Sequence, residues 1–191
     1  MGTSVTPGRF TKPEKPFGDE FITLRPFSLQ DVAMTTALCQ DPEIPRWTTV
    51  PAAYGEADAR AWISAHEDQW LGGLEASLAI TDANSGELIG SVGLFRDLND
   101  ETTTEVGYWV GAHSRGRGVA TRAVTLLCEW GVNVARLQRV RLVTLIGNTP
   151  SERVAMKSGF TRVGEVLDYR SERRPDSSSH VTVWQKSYAQ D

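Results

Sequence analysis

The chain has 191 residues, 40% of them hydrophobic and 23% charged, with a formal net charge of -4 and 2 cysteines. That length suits one domain with one substantial core, and the acidic balance argues against broad nucleic-acid binding. Cys39 and Cys128 fall at apolar positions of helix-like segments, which points away from a disulfide framework. No apolar run reaches membrane-spanning length and the amino terminus lacks a signal-peptide core, so a soluble cytoplasmic protein with no membrane partner is expected.

Residues 1–18 carry Pro7, Pro13, Pro16 and three glycines; they read as a flexible N-terminal tail, or an arm ordered only by contacts, ahead of a single domain over 19–191. Phe21 to Arg25 is a short strand stopped by Pro26. Ser28, with Asp31 in the first turn, opens a helix running to about Gln40. Asp41 to Pro51 holds three prolines and is not expected to form a regular helix, although it carries Trp47. A second helix spans Glu56 to Leu71, with Ala59, Trp62, Ile63, His66 and Trp70 near one face. Strands Ala76 to Thr81 and Leu88 to Leu94 flank the turn Ala83-Asn84-Ser85-Gly86, and a third strand runs from Thr103 to Val110.

A loop follows, Gly111-Ala112-His113-Ser114-Arg115-Gly116-Arg117-Gly118, and then a helix with apolar residues from Ala120 to Val134 at helical spacing. Val140 to Ile146 reads as a buried strand. Thr149 is expected to cap a helix with Pro150 in its first position and Glu152 completing a capping box, and Gly159 to end it. Thr161 to Leu167 and Val181 to Lys186 close a mixed α/β sheet, separated by a polar loop.

Strand, glycine-arginine loop and helix start together describe a polyanion site. Glycines let backbone approach a phosphate, and helix-start N–H groups with the dipole's positive end bind its charge. Val119 stands where a Walker loop needs lysine, and Thr121 where a dinucleotide fingerprint needs glycine or alanine. The plain alternative is a turn with Arg115 and Arg117 solvated.

Arg115-Gly116-Arg117-Gly118-Val119-Ala120 resembles the Arg/Gln-x-x-Gly-x-Gly/Ala signature of the GNAT acyltransferases. Asn148-Thr149-Pro150-Ser151 and Gly159-Phe160 are similar to that superfamily's later motif. Thr23-Leu24-Arg25-Pro26, Asp41-Pro42-Glu43-Ile44 and Glu105-Val106-Gly107-Tyr108-Trp109 resemble its RimJ/RimL-like branch, so the likeness runs from about Phe21 to Lys186. The resemblance implies a mostly antiparallel central sheet of about seven strands flanked by about four helices. It also implies an N-acetyltransferase that moves acetyl from acetyl-CoA to a primary amine, a protein N-terminus or a small molecule, by direct attack in a ternary complex.

By that resemblance the amides of Arg115, Gly116, Arg117, Gly118, Val119 and Ala120 cradle the pyrophosphate. Trp109, Val110 and Gly111 pair with the pantetheine, and the Val110 amide polarises the thioester carbonyl. Asn148, read as lying before the cap with its side chain free, would hydrogen-bond the pantetheine, and Ser151 the leaving thiolate. Glu105 is the candidate base, on one strand face with Gly107 and Trp109, while Tyr108 and Val110 share the other. Trp47, Trp62, Trp70 and Tyr108 are candidates to line the acceptor pocket, each with a plain core role as the alternative.

The family's upstream glutamate falls on Val143 and its tyrosine on Ala155, which leaves a non-catalytic acyl-CoA-binding regulator as a second reading. Arg170, Arg173 and Arg174 would suit an acidic acceptor or succinyl-CoA, a solvated loop being the plainer account. No histidine cluster has metal-ligand spacing, so no metal is expected. A homodimer is an option from the family that no sequence feature establishes.

Overall fold

The structure is a computed structural model that describes residues 8–97, 100, 102–167 and 180–189. Its strands are β1 (Phe17–Gly18), β2 (Ile22–Pro26), β3 (Glu75–Asp82), β4 (Leu88–Arg96), β5 (Thr103–Val110), β6 (Arg139–Leu145), β7 (Thr161–Leu167) and β8 (His180–Ser187). Its helices are α1 (Val32–Cys39), α2 (Glu43–Trp47), α3 (Glu56–Gly72), α4 (Val119–Ala135) and α5 (Thr149–Lys157). The strands form one sheet in the order β1-β2-β3-β4-β5-β6-β8-β7, and every pairing is antiparallel except β5 with β6. A parallel pair needs a long crossover, and α4 supplies it.

Strand alternation divides the core. Val92 and Leu94 of β4 and Val106 and Val110 of β5 pack with Ala123, Val124 and Leu127 of α4. On the opposite face Trp109 packs with Val32, Cys39, Ile44 and Ile63 from α1–α3. Each buried valine, leucine or isoleucine among these contributes about 1.5–3 kcal/mol. Gly131 lets α4 approach closely: a Cβ there would stand 2.6 Å from Leu137 Cδ1 and 2.8 Å from Leu94 Cδ1.

The one parallel pairing is short. It joins Thr103 through Val106 to Arg139 through Leu142 and stops. Beyond it β6 remains paired with β8 to Leu145, and β5 remains paired with β4 to Val110. The sheet therefore opens a gap between Gly107–Val110 and Val143–Leu145.

Two expectations change, and a third, which left residues 1–18 as a tail or an arm, narrows. Asp41 to Pro51 contains the five-residue helix α2, because Pro45 falls in the first turn, where a helical N–H has no partner to lose. Residues 8–18 are an arm lying on the core: Phe10 is buried, Gly8 N–H donates to Ala135 O at 3.0 Å, and Phe17–Gly18 pairs with β2. The packed chain thus starts before residue 19. Helix α5 begins one residue early, with Asn148 as its cap: Glu152 N–H reaches Asn148 O at 3.1 Å, making Thr149 the first helical residue. Arg170, Arg173 and Arg174 lie outside the described residues. Among the described residues no helix is long and apolar enough to cross a membrane.

Candidate active site

A cleft of about 1770 Å³ opens at the gap in the sheet. Its β5 wall is set by hydrogen-bond phase. Gly111 N–H donates to Ile89 O at 2.9 Å, while Val110 stands opposite Gly90. Val110 and Gly90 are therefore a non-hydrogen-bonded pair, and the N–H and C=O of Val110 point away from β4 into the gap. By the same alternation the Tyr108 N–H points there too. This is an open strand edge inside a protein.

At the end of that edge Gly116 (φ 74°) and Gly118 (φ 81°) adopt left-handed conformations that L side chains rarely take. No atom lies within 4 Å of a Cβ built at either, so conformation rather than crowding requires glycine. Gly118 caps α4, whose first N–H groups have no helical partner, and Gly118, Val119, Ala120 and Thr121 line the cleft.

The two arginines diverge. Arg115 donates from Nε to Val110 O at 2.9 Å, and its Nη2 lies 2.7 Å from Asp41 Oδ2. It is a strut between the α1–α2 turn and the β5 edge rather than a solvated charge. Arg117 is exposed and lines a smaller cleft of about 90 Å³ with Asp82, Asn84 and Arg122.

Across the gap, Asn148 Oδ1 accepts from Ser151 N–H at 3.2 Å. Its side chain is thus not free as expected; only its amide NH₂ remains to reach a ligand. The Ser151 and Tyr108 hydroxyls are hydrogen-bonded at 2.8 Å. Burial pushes the Tyr108 pKa up to about 12, with the Ser151 bond opposing. The phenol is consequently protonated at neutral pH, one hydrogen bond from a serine facing the cleft. That pairing joins β5 to α5 and could not be read from spacing alone. The Val143 side chain lines the cleft, whereas Ala155 is core.

Of the tryptophans, Trp47 and Trp62 line the cleft. Trp47 Nε1 donates to Glu43 at 2.8 Å, and Trp62 meets Phe27 and His66 edge-on. Trp70 does not belong to the site: it is buried in the α4 core, 6.3 Å from Trp130. His66 is packed too, and burial lowers its pKa. The Trp109 side chain is core on the α1–α3 face, and opposite Ser91 its N–H and C=O turn toward β4 as the Gly111 N–H does, so of Trp109, Val110 and Gly111 only Val110 offers its N–H to the gap. Glu105 lines the cleft on that same face. Glu75, Ser77 and Phe95, which line it as well, escaped the sequence reading.

Residues 22–161 match the family model described as acetyltransferase (GNAT) domain. An uncharacterized N-acetyltransferase, p20, from Bacillus licheniformis is 27% identical over 150 residues, covering 78% of this chain and 84% of that protein. Among solved structures, RimL, a ribosomal L7/L12 alpha-N-protein acetyltransferase in complex with coenzyme A, superposes with a TM-score of 0.81 at 15% identity, over 93% of this chain and 100% of that one. The microcin self-immunity acetyltransferase MccE, in complex with acetyl-CoA and AMP, gives 0.76 at 22% identity, over 89% and 94%. At those identities the two structures establish likeness of fold.

Proposed function

The chain belongs to the GNAT acetyltransferase family, and on that premise we propose that it transfers an acetyl group from acetyl-CoA to a primary amine, with both substrates bound together. The observation that carries this reading is the open β5 edge running into the α4 N-terminus, with the Tyr108–Ser151 pair across the gap. An extended pantetheine arm fits such an edge as an added strand, and the helix start fits its pyrophosphate. The complexes of RimL with coenzyme A and of MccE with acetyl-CoA support the donor.

In this reading the Val110 N–H, fixed in direction by the β4–β5 register, stabilises the carbonyl oxygen as it gains charge. An alkylammonium of pKa roughly 10 must first lose a proton, and Glu105 receives it directly or through water. The N–C bond forms, the C–S bond breaks, and Ser151 hydrogen-bonds the departing sulfur while accepting from Tyr108. Nitrogen gives up two protons: Glu105 takes the first from the ammonium before attack, and the second, lost as the N–C bond forms, balances the one that the departing sulfur gains through the Ser151 and Tyr108 hydroxyls.

Thiol release from acetyl-CoA, followed with a chromogenic disulfide across a panel of amines and N-terminal peptides, tests the reading. Ser151→Ala is expected to lower kcat about 10- to 100-fold, with the coenzyme A Kd changing less than about twofold. A wild-type protein that binds coenzyme A yet releases no thiol with any acceptor would instead be an acyl-CoA-binding regulator.

A further inference from the structure

The registers of β3, β4 and β5 place Glu75, Phe95 and Glu105 in one row: Glu75 pairs with Phe95, and Phe95 with Glu105. The next row on that face is Ser77, Gly93 and Gly107. The two glycines contribute no side chain, and the Phe95 ring lies across them. A Cβ at Gly93 would stand 2.8 Å from Phe95 Cζ, and one at Gly107 3.4 Å from Phe95 Cε2. The floor of the cleft beside the gap is therefore an aromatic ring with a carboxylate on each side.

Glu75 is the unusual member. Its carboxylate is half-buried and accepts a 2.7 Å bond from Ser77 Oγ, and among the described residues no lysine or arginine pairs with it. Burial raises its pKa, and the Ser77 bond only partly opposes that. A carboxylate withdrawn from water without a cation is costly, and its place in the cleft beside the gap marks it as a candidate to receive one.

Position decides which cation would complete it. Glu75 lies two strands and two residues from Gly107 at the edge of the gap, a Cα separation of roughly 12 Å. The carboxylate reaches only part of that way, so a group seated on it is not the nitrogen being acetylated. It is a second positive charge a few carbon atoms farther along the acceptor. The Phe95 face between the two points suits the same cation.

We propose that Glu75, above the Phe95 floor, is a specificity-determining residue that receives a second cationic group of the acceptor, so that the acceptor class is diamines and other amines carrying an additional positive charge. This rests on the acetyl-transfer reading, and the test separates the two.

Calorimetry on protein saturated with coenzyme A would compare 1,4-diaminobutane with n-pentylamine, which has the same length and one charge. Wild-type protein is expected to prefer the diamine about tenfold or more, and Glu75→Gln to reduce that ratio below about threefold, with the coenzyme A Kd unchanged. Phe95→Leu, which leaves the carboxylate in place, is expected to lower the ratio about threefold, and it stands in if the Gln variant does not fold. A glutamate that merely braces Ser77 would leave the ratio intact while lowering Tm. An unchanged ratio, or no diamine preference in the wild type, overturns the proposal. A preference that Glu75→Gln removes, in a protein that binds coenzyme A yet releases no thiol from acetyl-CoA with any diamine, keeps the cation site and overturns the acetyl-transfer reading.

Discussion

The two sides of the cleft are built from different material. On the side proposed for the donor the groups offered are backbone: the Val110 edge, the glycine loop and the α4 N-terminus. On the side proposed for the acceptor they are side chains, Glu75, Phe95 and Glu105, which the registers of three strands bring into a row, in a cleft that Trp47 and Trp62 also line. A backbone site depends on conformation and tolerates changes of side chain that preserve it. A side-chain site has the opposite sensitivity, and can change its ligand by one substitution without disturbing the fold. One chain can thereby keep its donor fixed while its acceptor varies.

The largest expected effect breaks the donor side by conformation alone. Gly118 has φ 81° with open space around it, so Gly118→Ala introduces strain of about 1–2 kcal/mol and no clash. Relieving that strain rotates the loop amides out of line with the helix start. The coenzyme A Kd is expected to rise about tenfold, while amine binding measured by calorimetry changes little. An unaltered Kd would mean that side chains, not amides, hold the donor.

Arg115 joins the two sides, and removing it should affect the chemical step more than either ligand. With Arg115→Met the Val110 carbonyl loses a 2.9 Å bond and Asp41 its 2.7 Å ion pair. The arginine side chain is 38% exposed, so screening limits the effect. A fall in kcat of about 3- to 10-fold is expected, with coenzyme A Kd within about threefold. Asp41→Asn should cost less alone and add little in the double variant, since both act on one strut. Full additivity of the two would show that Arg115 acts elsewhere.

The same division explains what was legible in the sequence. Gly116, Gly118 and the strand before them are local signals, readable because a left-handed turn into a helix needs particular residues wherever it occurs. Asn148 was displaced by one position because asparagine and threonine both cap well and Pro150 fits the second helical position as readily as the first. Trp70 shares a helical face with Trp62, but α3 is 17 residues long, and its far end passes out of the cleft onto Trp130. Periodicity gives the face of a helix, not the neighbour each turn will meet. Glu75 was invisible because it looks like the residue before a strand, and only the pairing of β3 with β4 and of β4 with β5 shows that it faces the same space as Glu105. Tyr108 and Ser151 were each singled out, yet their contact spans 43 positions and depends on how α5 packs.

The smallest expected effect on the ligands tests whether the proposed acceptor side has its own anchor. Arg25 of β2 grips Asp31, just before α1, through Nη1–Oδ2 at 2.8 Å and Nη2–Oδ1 at 2.7 Å, and Ser28 N–H adds a third bond at 2.8 Å. Burial alone would raise the Asp31 pKa, but the bonds from Arg25 and Ser28 outweigh it, so the folded value is lowered, and that of Arg25 is raised. A carboxyl whose pKa is lower folded than unfolded contributes its stability in full above the unfolded value of about 3.9, and loses it as pH falls toward the folded value. Asp31→Asn should therefore cost about 1–2 kcal/mol in urea unfolding at pH 7, with the difference from wild type shrinking below about pH 4. The coenzyme A Kd should be unchanged, because the contact ties β2 to the helices over the acceptor and touches nothing on the donor side. A destabilisation equal at pH 7 and pH 3 would place its origin in packing rather than the ion pair. A weakened coenzyme A Kd would show that the two sides are not mechanically separate after all.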